Sequence, residues 1–260
     1  PTEEINDGKF LTVGQLVAVG SFALSANTTG IQNTAVGFQA LTSNTDGGYN
    51  TANGSGALFS NNSGSYNTAN GKSALASNIS GDWNTASGYL ALTSNTTGGA
   101  NVANGAYSLW QNIDGIYNTS IGTSALYNNT SGQTNSVNGC LAMFSNTTGS
   151  NNTANGVNSL SSNLSGDGNT ASGYFASSSN TTGSYNTGIG WSALQNNTTG
   201  MFNTALGTSS FPFGDNFSNS TALGANTNIT ASNQVRIGDS SVTSIGGQVG
   251  WTTVSDMRLK

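Results

Sequence analysis

A five-residue phrase, Asn-Thr-Ala-x-Gly, returns every 17 residues along the chain without slipping, and it constrains the fold more than any other feature. A fixed period of this kind is the signature of a protein built from stacked repeat units. Disorder would impose no such regularity, even on a composition dominated by Asn, Ser, Thr and Gly. The glycine of the phrase holds thirteen positions: Gly20, Gly37, Gly54, Gly71, Gly88, Gly105, Gly122, Gly139, Gly156, Gly173, Gly190, Gly207 and Gly224.

Each 17-residue unit predicts one coil of a parallel β-solenoid. The Asn-Thr-Ala-x segment is short and alternates, which is typical of a strand, and the following glycine can take a positive φ and end it. An Ala-Leu pair comes next in most units, with Met143 and Phe211 in the Leu place of two others. An Asn-x-x-Gly turn then closes the unit, as at Asn44 to Gly47. We therefore predict an all-β fold, a parallel β-solenoid or β-roll, whose coils stack about 4.8 Å apart with ladders of the motif Asn and Thr.

The small apolar content of one coil predicts a homotrimer. Burying the single Leu of a coil is worth about 2 kcal/mol, against backbone entropy of roughly 20 kcal/mol for the whole coil. About half of the coils add an aromatic residue before the motif Asn: Tyr49, Tyr66, Trp83, Tyr117, Tyr185 and Phe202. We expect three chains, intertwined or side by side, to share one core. Small strand residues would then line the common axis: Ala18, Ala35, Ala52, Ala69, Ala86 and Ala103.

Composition excludes several classes of function. Only 6% of the residues are charged and the net charge is −5, so the basic side chains that a nucleic-acid binder needs are missing. No run of about 20 apolar residues could span a membrane. The single cysteine, Cys140, excludes an intrachain disulfide, and the lack of His argues against a metal centre. We expect no cofactor, no metal, no nucleic acid and no membrane as partners.

Departures from the repeat divide the chain into four parts. Residues 1–15 precede the first strict coil and are predicted to be an N-terminal cap or junction, whereas residues 16–224 form the solenoid. Residues 211–214 replace the usual segment of the last unit, as expected of a capping coil. Residues 225–254 are predicted to form a C-terminal neck, and residues 255–260 begin a further domain.

The repeat strand resembles the head repeats of trimeric autotransporter adhesins. The likeness rests on the Asn-Thr-Ala-Val-Gly units, as at residues 33–37, and on Gln-Val-Arg-Ile-Gly at residues 234–238, a compressed version of the same strand. Heads of that family are trimers of parallel β-rolls, and the coil of this chain is longer than the family's usual one. The resemblance implies a trimeric and adhesive surface fibre.

The C-terminal residues resemble the junction before an intramolecular chaperone domain of the endosialidase type. The likeness rests on Val-Arg-Ile-Gly at residues 235–238, a Ser-Val-Thr-Ser-Ile-Gly-Gly segment at residues 241–247, Trp251, and Ser-Asp-Met-Arg-Leu-Lys from Ser255 to Lys260. Such domains trimerise phage tail fibres and related bacterial fibre proteins and then cut themselves off. The resemblance implies that Ser255 is a latent nucleophile and Lys260 its base. We expect the pair to be inactive here, because the domain that would desolvate the Lys260 amine is not part of this sequence.

Aromatic residues at variable positions of the repeat are the candidate ligand-binding residues. Rings on an otherwise polar rod could stack on sugar rings, whereas the alternative is that they pack under a loop or across a chain interface. The candidates are Trp110, Tyr127 and Phe144, which share one repeat position, and Tyr89, Tyr107, Tyr174 and Trp191 at nearby positions. The ends of the rod, at residues 1–15 or 211–213, are a rival location for a site.

No catalytic arrangement is predicted within the rod. Asp46 and Asp114 share a repeat position but lie four coils apart, or about 19 Å, beyond the roughly 5–9.5 Å between paired carboxylates of glycoside hydrolases. Asp82 and Asp167 are likewise too far apart to act as a catalytic pair. An isolated Asp in such a place is most simply a turn residue.

We therefore expect the structural and adhesive segment of a homotrimeric, extracellular surface fibre, on a cell or as a virion tail fibre. It would recognise the surface of a target cell, by way of polysaccharide, through many weak contacts multiplied by the trimer. Three alternatives stay open: a ligand-free spacer, a fibre depolymerase, and an ice-binding solenoid. The ice-binding alternative depends on one Thr per coil, a series that Val102 and Ser136 interrupt: Thr34, Thr51, Thr68, Thr85, Thr119, Thr153, Thr170, Thr187, Thr204 and Thr221.

Overall fold

The chain forms one stack of short parallel strands, with one strand from each coil. A computed structural model describes residues 15–211 and 216–246. Its fourteen three-residue strands are β1 Val17–Val19, β2 Thr34–Val36, β3 Thr51–Asn53, β4 Thr68–Asn70, β5 Thr85–Ser87, β6 Val102–Asn104, β7 Thr119–Ile121, β8 Ser136–Asn138, β9 Thr153–Asn155, β10 Thr170–Ser172, β11 Thr187–Ile189, β12 Thr204–Leu206, β13 Thr221–Leu223 and β14 Val235–Ile237. The strands form one sheet in sequence order, and the successive pairs are parallel. The predicted all-β parallel solenoid is confirmed.

Strand pairing follows the sequence repeat. Thr51 lies beside Thr68 and Ala52 beside Ala69, each one 17-residue period further on. The final step is shorter, because Thr221 lies beside Val235. The compressed repeat predicted at residues 234–238 therefore does contain a strand. Equivalent residues of successive coils stack into rows along the rod, which we call columns.

In strands β2 to β13 the middle residue is buried inside the coil and its two neighbours are more exposed, whereas all three residues of β14 are exposed. Ala52 is fully buried, whereas Thr51 and Asn53 are exposed. The Ala and Leu that follow the motif glycine, such as Ala57 and Leu58, complete the same core and are also fully buried.

This core corrects one prediction about the trimer. The expectation that the strand alanines approach an axis shared by three chains was wrong, because those of five successive strands have no exposed surface in a single chain: Ala35, Ala52, Ala69, Ala86 and Ala103. The equivalent Ala18, in the first strand, is partly buried against the same core. The physical reason is the two-residue side-chain period of a strand, which turns the middle residue inward once the coil closes.

The short coil requires left-handed backbone at more positions than its glycine. The motif glycine has a positive φ, as predicted, and a Cβ at Gly54 (φ +142°) would lie 2.5 Å from the carbonyl oxygen of Gly71. The Leu place also has a positive φ, 52° at Leu58, and so does the residue before the motif Asn, 60° at Tyr66. This region costs a bulky residue about 1–2 kcal/mol. Full burial of the leucine offsets that cost, since it is worth about as much.

Two ladders of buried asparagine side chains join the coils. In the turn ladder, Asn61 Nδ2 donates to Asn44 Oδ1 one coil earlier, at 2.7 Å, and to the carbonyl oxygen of Gly64 in its own turn, at 2.9 Å. In the strand ladder, Asn50 Oδ1 accepts the backbone N–H of Asn67 one coil later, at 3.0 Å, and Asn50 Nδ2 donates to Gly64 O at 2.8 Å. The predicted Asn ladder of the motif is confirmed, and a second ladder accompanies it.

The turn glycine is required by space. A Cβ at Gly64 would lie 2.5 Å from Asn61 Oδ1 and 2.6 Å from the carbonyl oxygen of Gly81 in the next coil. Both oxygens belong to the ladders, so the glycine is what lets neighbouring turns approach closely enough for the amides to bond.

Some predictions concern residues that the structure does not describe. The N-terminal cap or junction lies almost wholly in this part, as do residues 212–215 of the predicted capping coil and the latent pair Ser255 and Lys260. Those predictions stay predictions. Phe211, which is described, occupies the Leu place of its coil as expected and is fully buried.

Candidate functional site

Five of the predicted ligand-binding aromatics meet in one group, which we call the central aromatic cluster. Trp110 stacks on Tyr127 with ring centroids 4.9 Å apart, and Tyr127 stacks on Phe144 at 5.0 Å. Tyr107 contacts Tyr127 at 6.3 Å and Tyr89 at 5.3 Å. The stacking follows from the coil spacing, because equivalent residues of adjacent coils are about 4.8 Å apart. The cluster is partly exposed, with Tyr89 the most exposed of its rings.

The environment of Tyr107 is less aqueous than that of a free phenol. Partial burial raises the pKa of Tyr107 above its ordinary value of 10.0, and interaction with Tyr89 and then Tyr127 raises this pKa further. A hydrogen bond with Tyr89 contributes to this shift, so the Tyr107 hydroxyl belongs to the cluster's own contacts.

The other two predicted aromatics form a smaller group further along the rod. Tyr174 lies nearly parallel to Trp191 with centroids 6.5 Å apart, and it packs edge to face on Phe175 at 4.5 Å. Tyr174 and Trp191 are both exposed. Seven candidate residues thus resolve into two separate surfaces.

Six aromatic residues that the sequence analysis counted with the core lie outside it and form a third aromatic surface. We call it the aromatic column; it is formed by the residues before the motif Asn, and its rings are 43–63% exposed: Tyr49, Tyr66, Trp83, Tyr117, Tyr185 and Phe202. The prediction that these rings contribute to the core was wrong. The adjacent Asn points inward into the strand ladder, and the left-handed backbone before it turns the ring toward solvent. The alternation of buried Asn with its neighbours was the signal that could have shown this.

The aromatic column has a gap with a cleft in it. At Ala100 the ring is missing, and a cleft of about 240 Å³ opens between Trp83 and Tyr117. Polar residues, small residues and one isoleucine complete its lining: Ser80, Asp82, Thr97, Gly99, Ala100 and Ile116.

Two of the carboxylates bond to the backbone of the neighbouring coil. Asp82 Oδ1 accepts the backbone N–H of Ser65 at 2.7 Å, and Asp167 Oδ1 accepts that of Ser150 at 2.7 Å, each one coil earlier. Ser65 Oγ does the same for Gly48 at 3.1 Å. These Asp residues therefore bond to the neighbouring coil, a role that turn statistics alone did not predict. Among residues 15–211 and 216–246, no group of three or more His, Cys, Asp or Glu side chains could hold a metal ion.

The threonine column lies on the outward face of the sheet. Its members occupy the first position of their strands, from Thr34 beside Thr51 onward, with Val102 and Ser136 as the interruptions. The outward column two residues further on is mixed, with Asn53 and Asn70 in some coils and Ile189 and Leu206 in others.

Comparison with known proteins finds no family model that matches the chain and no curated protein that matches its sequence. Within the described ranges, the chain has no helix long and apolar enough to cross a membrane.

Proposed function

We propose that this chain is the structural and adhesive segment of a homotrimeric surface fibre, which recognises polysaccharide on a target cell. The observation that carries the proposal is the set of stacked aromatic rings, partly or largely exposed to solvent, along a rod that has almost no charge. Aromatic faces bind the apolar faces of sugar rings, and neutral hydroxyl and amide groups beside them suit sugar hydroxyls. Repetition along the rod lets weak contacts add up.

A homotrimer is supported by apolar residues on the outward face of the sheet. Val19 and Val36 near one end and Ile189 and Leu206 near the other are 37–48% exposed. Exposed aliphatic residues in line favour contact with another chain. The resemblance of the repeats to trimeric autotransporter adhesins supports the same assembly and an extracellular place, on a cell surface or in a virion tail fibre.

Binding without catalysis is proposed because the described carboxylates of equivalent position are too far apart to cooperate. Asp46 and Asp114 are separated by four coils, and Asp82 and Asp167 by five. These separations are about 19 and 24 Å, well outside the roughly 5–9.5 Å of paired catalytic carboxylates.

A glycan array tests the proposal with three proteins. We expect the wild type to bind a subset of polysaccharides, and Trp110→Ala/Tyr127→Ala/Phe144→Ala to lose most of that signal. The matched control Thr93→Ala/Ser161→Ala/Gln195→Ala alters the same column without removing a ring and should bind like the wild type. Light scattering should give three times 26.2 kDa, or 78.6 kDa.

Two outcomes would replace the proposal. A 78.6 kDa assembly that binds no glycan is a spacer, and release of reducing sugar from capsule or lipopolysaccharide reveals a depolymerase. A mass of 26.2 kDa contradicts the trimer.

A second candidate function, ice binding, is favoured by the threonine column. Its hydroxyls recur about every 4.8 Å on one sheet face, although the column beside it is mixed. A gap between the freezing and melting temperatures of ice in a solution of the purified protein would support this candidate. Equal freezing and melting temperatures would exclude it.

A further inference from the structure

The aromatic column shows how rings pack when successive coils each supply one. Tyr49 and Tyr66 stack with centroids 4.8 Å apart and planes 5° from parallel, and Tyr66 stacks on Trp83 at 4.1 Å and 4°. Tyr185 and Phe202 repeat the arrangement at 5.3 Å and 5°. Where successive coils each carry a ring in this column, the rings stack with their planes nearly parallel.

At Ala100 the ring is absent while the backbone is unchanged. The φ of Ala100 is 55°, close to the 60° of Tyr66 and the 58° of Tyr117. Trp83 and Tyr117 are therefore two coil spacings apart, or about 9.6 Å. They are also the most exposed rings of the column, at 61% and 63%.

The residue before the gap is small as well. In the column that contains Ser65, Asp82 and Ile116, the coil of Ala100 carries Gly99. Two consecutive positions without a large side chain open the cleft of about 240 Å³ between the two rings. Further along, Thr134, Asn151 and Gly168 leave Tyr117 and Tyr185 four coils apart, about 19 Å, which is too far for one ligand ring to touch both.

The distance between the two rings limits how thick a ligand bound between them can be. Carbon atoms make their best contact at about 3.5–4.0 Å, so two contacts take up 7–8 Å of the roughly 9.6 Å between the rings. One ring therefore fits between them, as the flat ring of Tyr66 does between Tyr49 and Trp83. The polar rim favours a saturated sugar ring as the occupant, because a sugar carries hydroxyl groups at its edge.

The rim of the gap is polar and carries an acceptor. Asp82 Oδ1 accepts the backbone N–H of Ser65, and its Oδ2 makes no hydrogen bond among the described residues. Ser80 and Thr97, each of which carries a hydroxyl, line the same cleft. A ring held between two aromatic faces would find hydroxyl partners at its edge, as sugars require.

We propose that the gap at Ala100 is a sandwich subsite for one pyranose ring, held between the faces of Trp83 and Tyr117 with Asp82, Ser80 and Thr97 at its hydroxyl edge. The inference rests on the proposed recognition of polysaccharide and adds the place and the geometry of one bound sugar. The predicted candidates of the central aromatic cluster form a separate surface, so each can be tested without the other.

The indole N–H signal of Trp83 in the NMR spectrum reports on the subsite, after assignment with Trp83→Phe. The probes are methyl β-glucopyranoside, methyl β-galactopyranoside and methyl N-acetyl-β-glucosaminide. We expect at least one probe to shift this signal saturably, and Tyr117→Ala to weaken its binding roughly tenfold through loss of one stacking face.

Filling the gap is the decisive variant. Ala100→Tyr restores the missing ring at a backbone conformation that tyrosine already adopts in this column, so the variant should fold, melt no lower than the wild type and show no probe-induced shift. The matched control Thr134→Tyr adds a ring on the far side of Tyr117, leaves the gap open and should bind the probe as the wild type does.

Three results would overturn the subsite. The first is that no probe shifts the Trp83 signal, and the second is that Ala100→Tyr binds the probe as well as the wild type does. The third is a lower light-scattering mass for Ala100→Tyr, which would show that a ring from a second copy of the chain occupies the gap. If the glycan array still reports binding that depends on Trp110, Tyr127 and Phe144, the proposed function survives this failure. If the wild type binds no glycan on the array, the proposed function itself fails, whatever the result at the subsite.

Discussion

Replacing one asparagine of the strand ladder should destabilise the whole rod, and Asn118 is the position to test. Its Nδ2 donates to Gly132 O at 2.8 Å, and its Oδ1 accepts the backbone N–H of Asn135 at 3.0 Å. In Asn118→Ala the carbonyl oxygen of Gly132 keeps its bond from Asn129 Nδ2, at 3.0 Å, but the buried N–H of Asn135 loses its partner.

The magnitude follows from those bonds. One lost hydrogen bond costs about 1 kcal/mol, and a buried donor left without an acceptor costs about 1–3 kcal/mol, so Asn118→Ala should lose about 3 kcal/mol of unfolding free energy. For a chain of this size that corresponds to a melting temperature lower by about 6–12 °C, measured by circular dichroism. Asn104→Ala changes an exposed asparagine of strand β6 and should stay within about 0.5 kcal/mol of the wild type. Equal melting temperatures for the two variants would refute the ladder as the source of stability.

Asn118→Asp adds a dependence on pH. A carboxylate cannot donate to Gly132 O, and burial disfavours its charge, so the folded-state pKa of the new Asp should lie above its unfolded value of about 3.9. The folded state then holds the proton more tightly, and stability is greatest below the unfolded pKa and is lost as the pH rises through the folded pKa. Denaturant unfolding at pH 3.5 and pH 7 should show the larger deficit at pH 7, and a deficit independent of pH would contradict the burial of this position.

Three further predictions test separate contacts. Ser177 fills the Leu place of its coil, and its buried Oγ has no partner among the described residues, so Ser177→Ala should raise the unfolding free energy by about 1 kcal/mol. The control Ser108→Ala should lower the unfolding free energy, because Ser108 Oγ donates a hydrogen bond to Ser120 Oγ at 2.8 Å. Gly64→Ala should destabilise by more than about 2 kcal/mol, since its Cβ would lie within 2.6 Å of two oxygens. Ser63→Ala, at an exposed position of the same turn, should be neutral by the same denaturant assay. Tyr107→Phe should remove a component from the alkaline end of the phenolate absorbance titration, because partial burial raises the pKa of Tyr107; an unchanged alkaline limb would contradict this.

Much of the fold could be predicted from the sequence because the repeat reports each contact many times. The strand, the glycine bend, the Asn-x-x-Gly turn and the Asn ladder each follow from residue types at fixed spacing, and each is present in the structure. What one coil cannot show is which columns face inward once it closes. Ala52 was expected at a shared axis and Tyr66 in the core, yet Ala52 lies inside its own coil and Tyr66 outside it.

The candidate site could be predicted in part. The shared repeat position of Trp110, Tyr127 and Phe144 was enough to anticipate a surface, since identical positions stack in a solenoid. The gap at Ala100 could not be recognised before the aromatic column was known to face solvent. The positive φ of Leu58 could not be predicted either, because leucine ordinarily adopts negative φ. Only the closure of a short coil imposes the left-handed backbone there.

The most direct test of the central claim, that coils stack one strand spacing apart along a rod, is a pair of distances between spin labels. In a Cys140→Ser background diluted with unlabelled protein, labels at Thr51→Cys and Thr153→Cys span six strand steps, and labels at Thr68→Cys and Thr153→Cys span five. Pulsed electron paramagnetic resonance should give about 29 Å for the first pair and about 24 Å for the second, differing by one spacing of about 4.8 Å. Equal distances in the two pairs, or a broad distribution in either, would contradict the stacked solenoid.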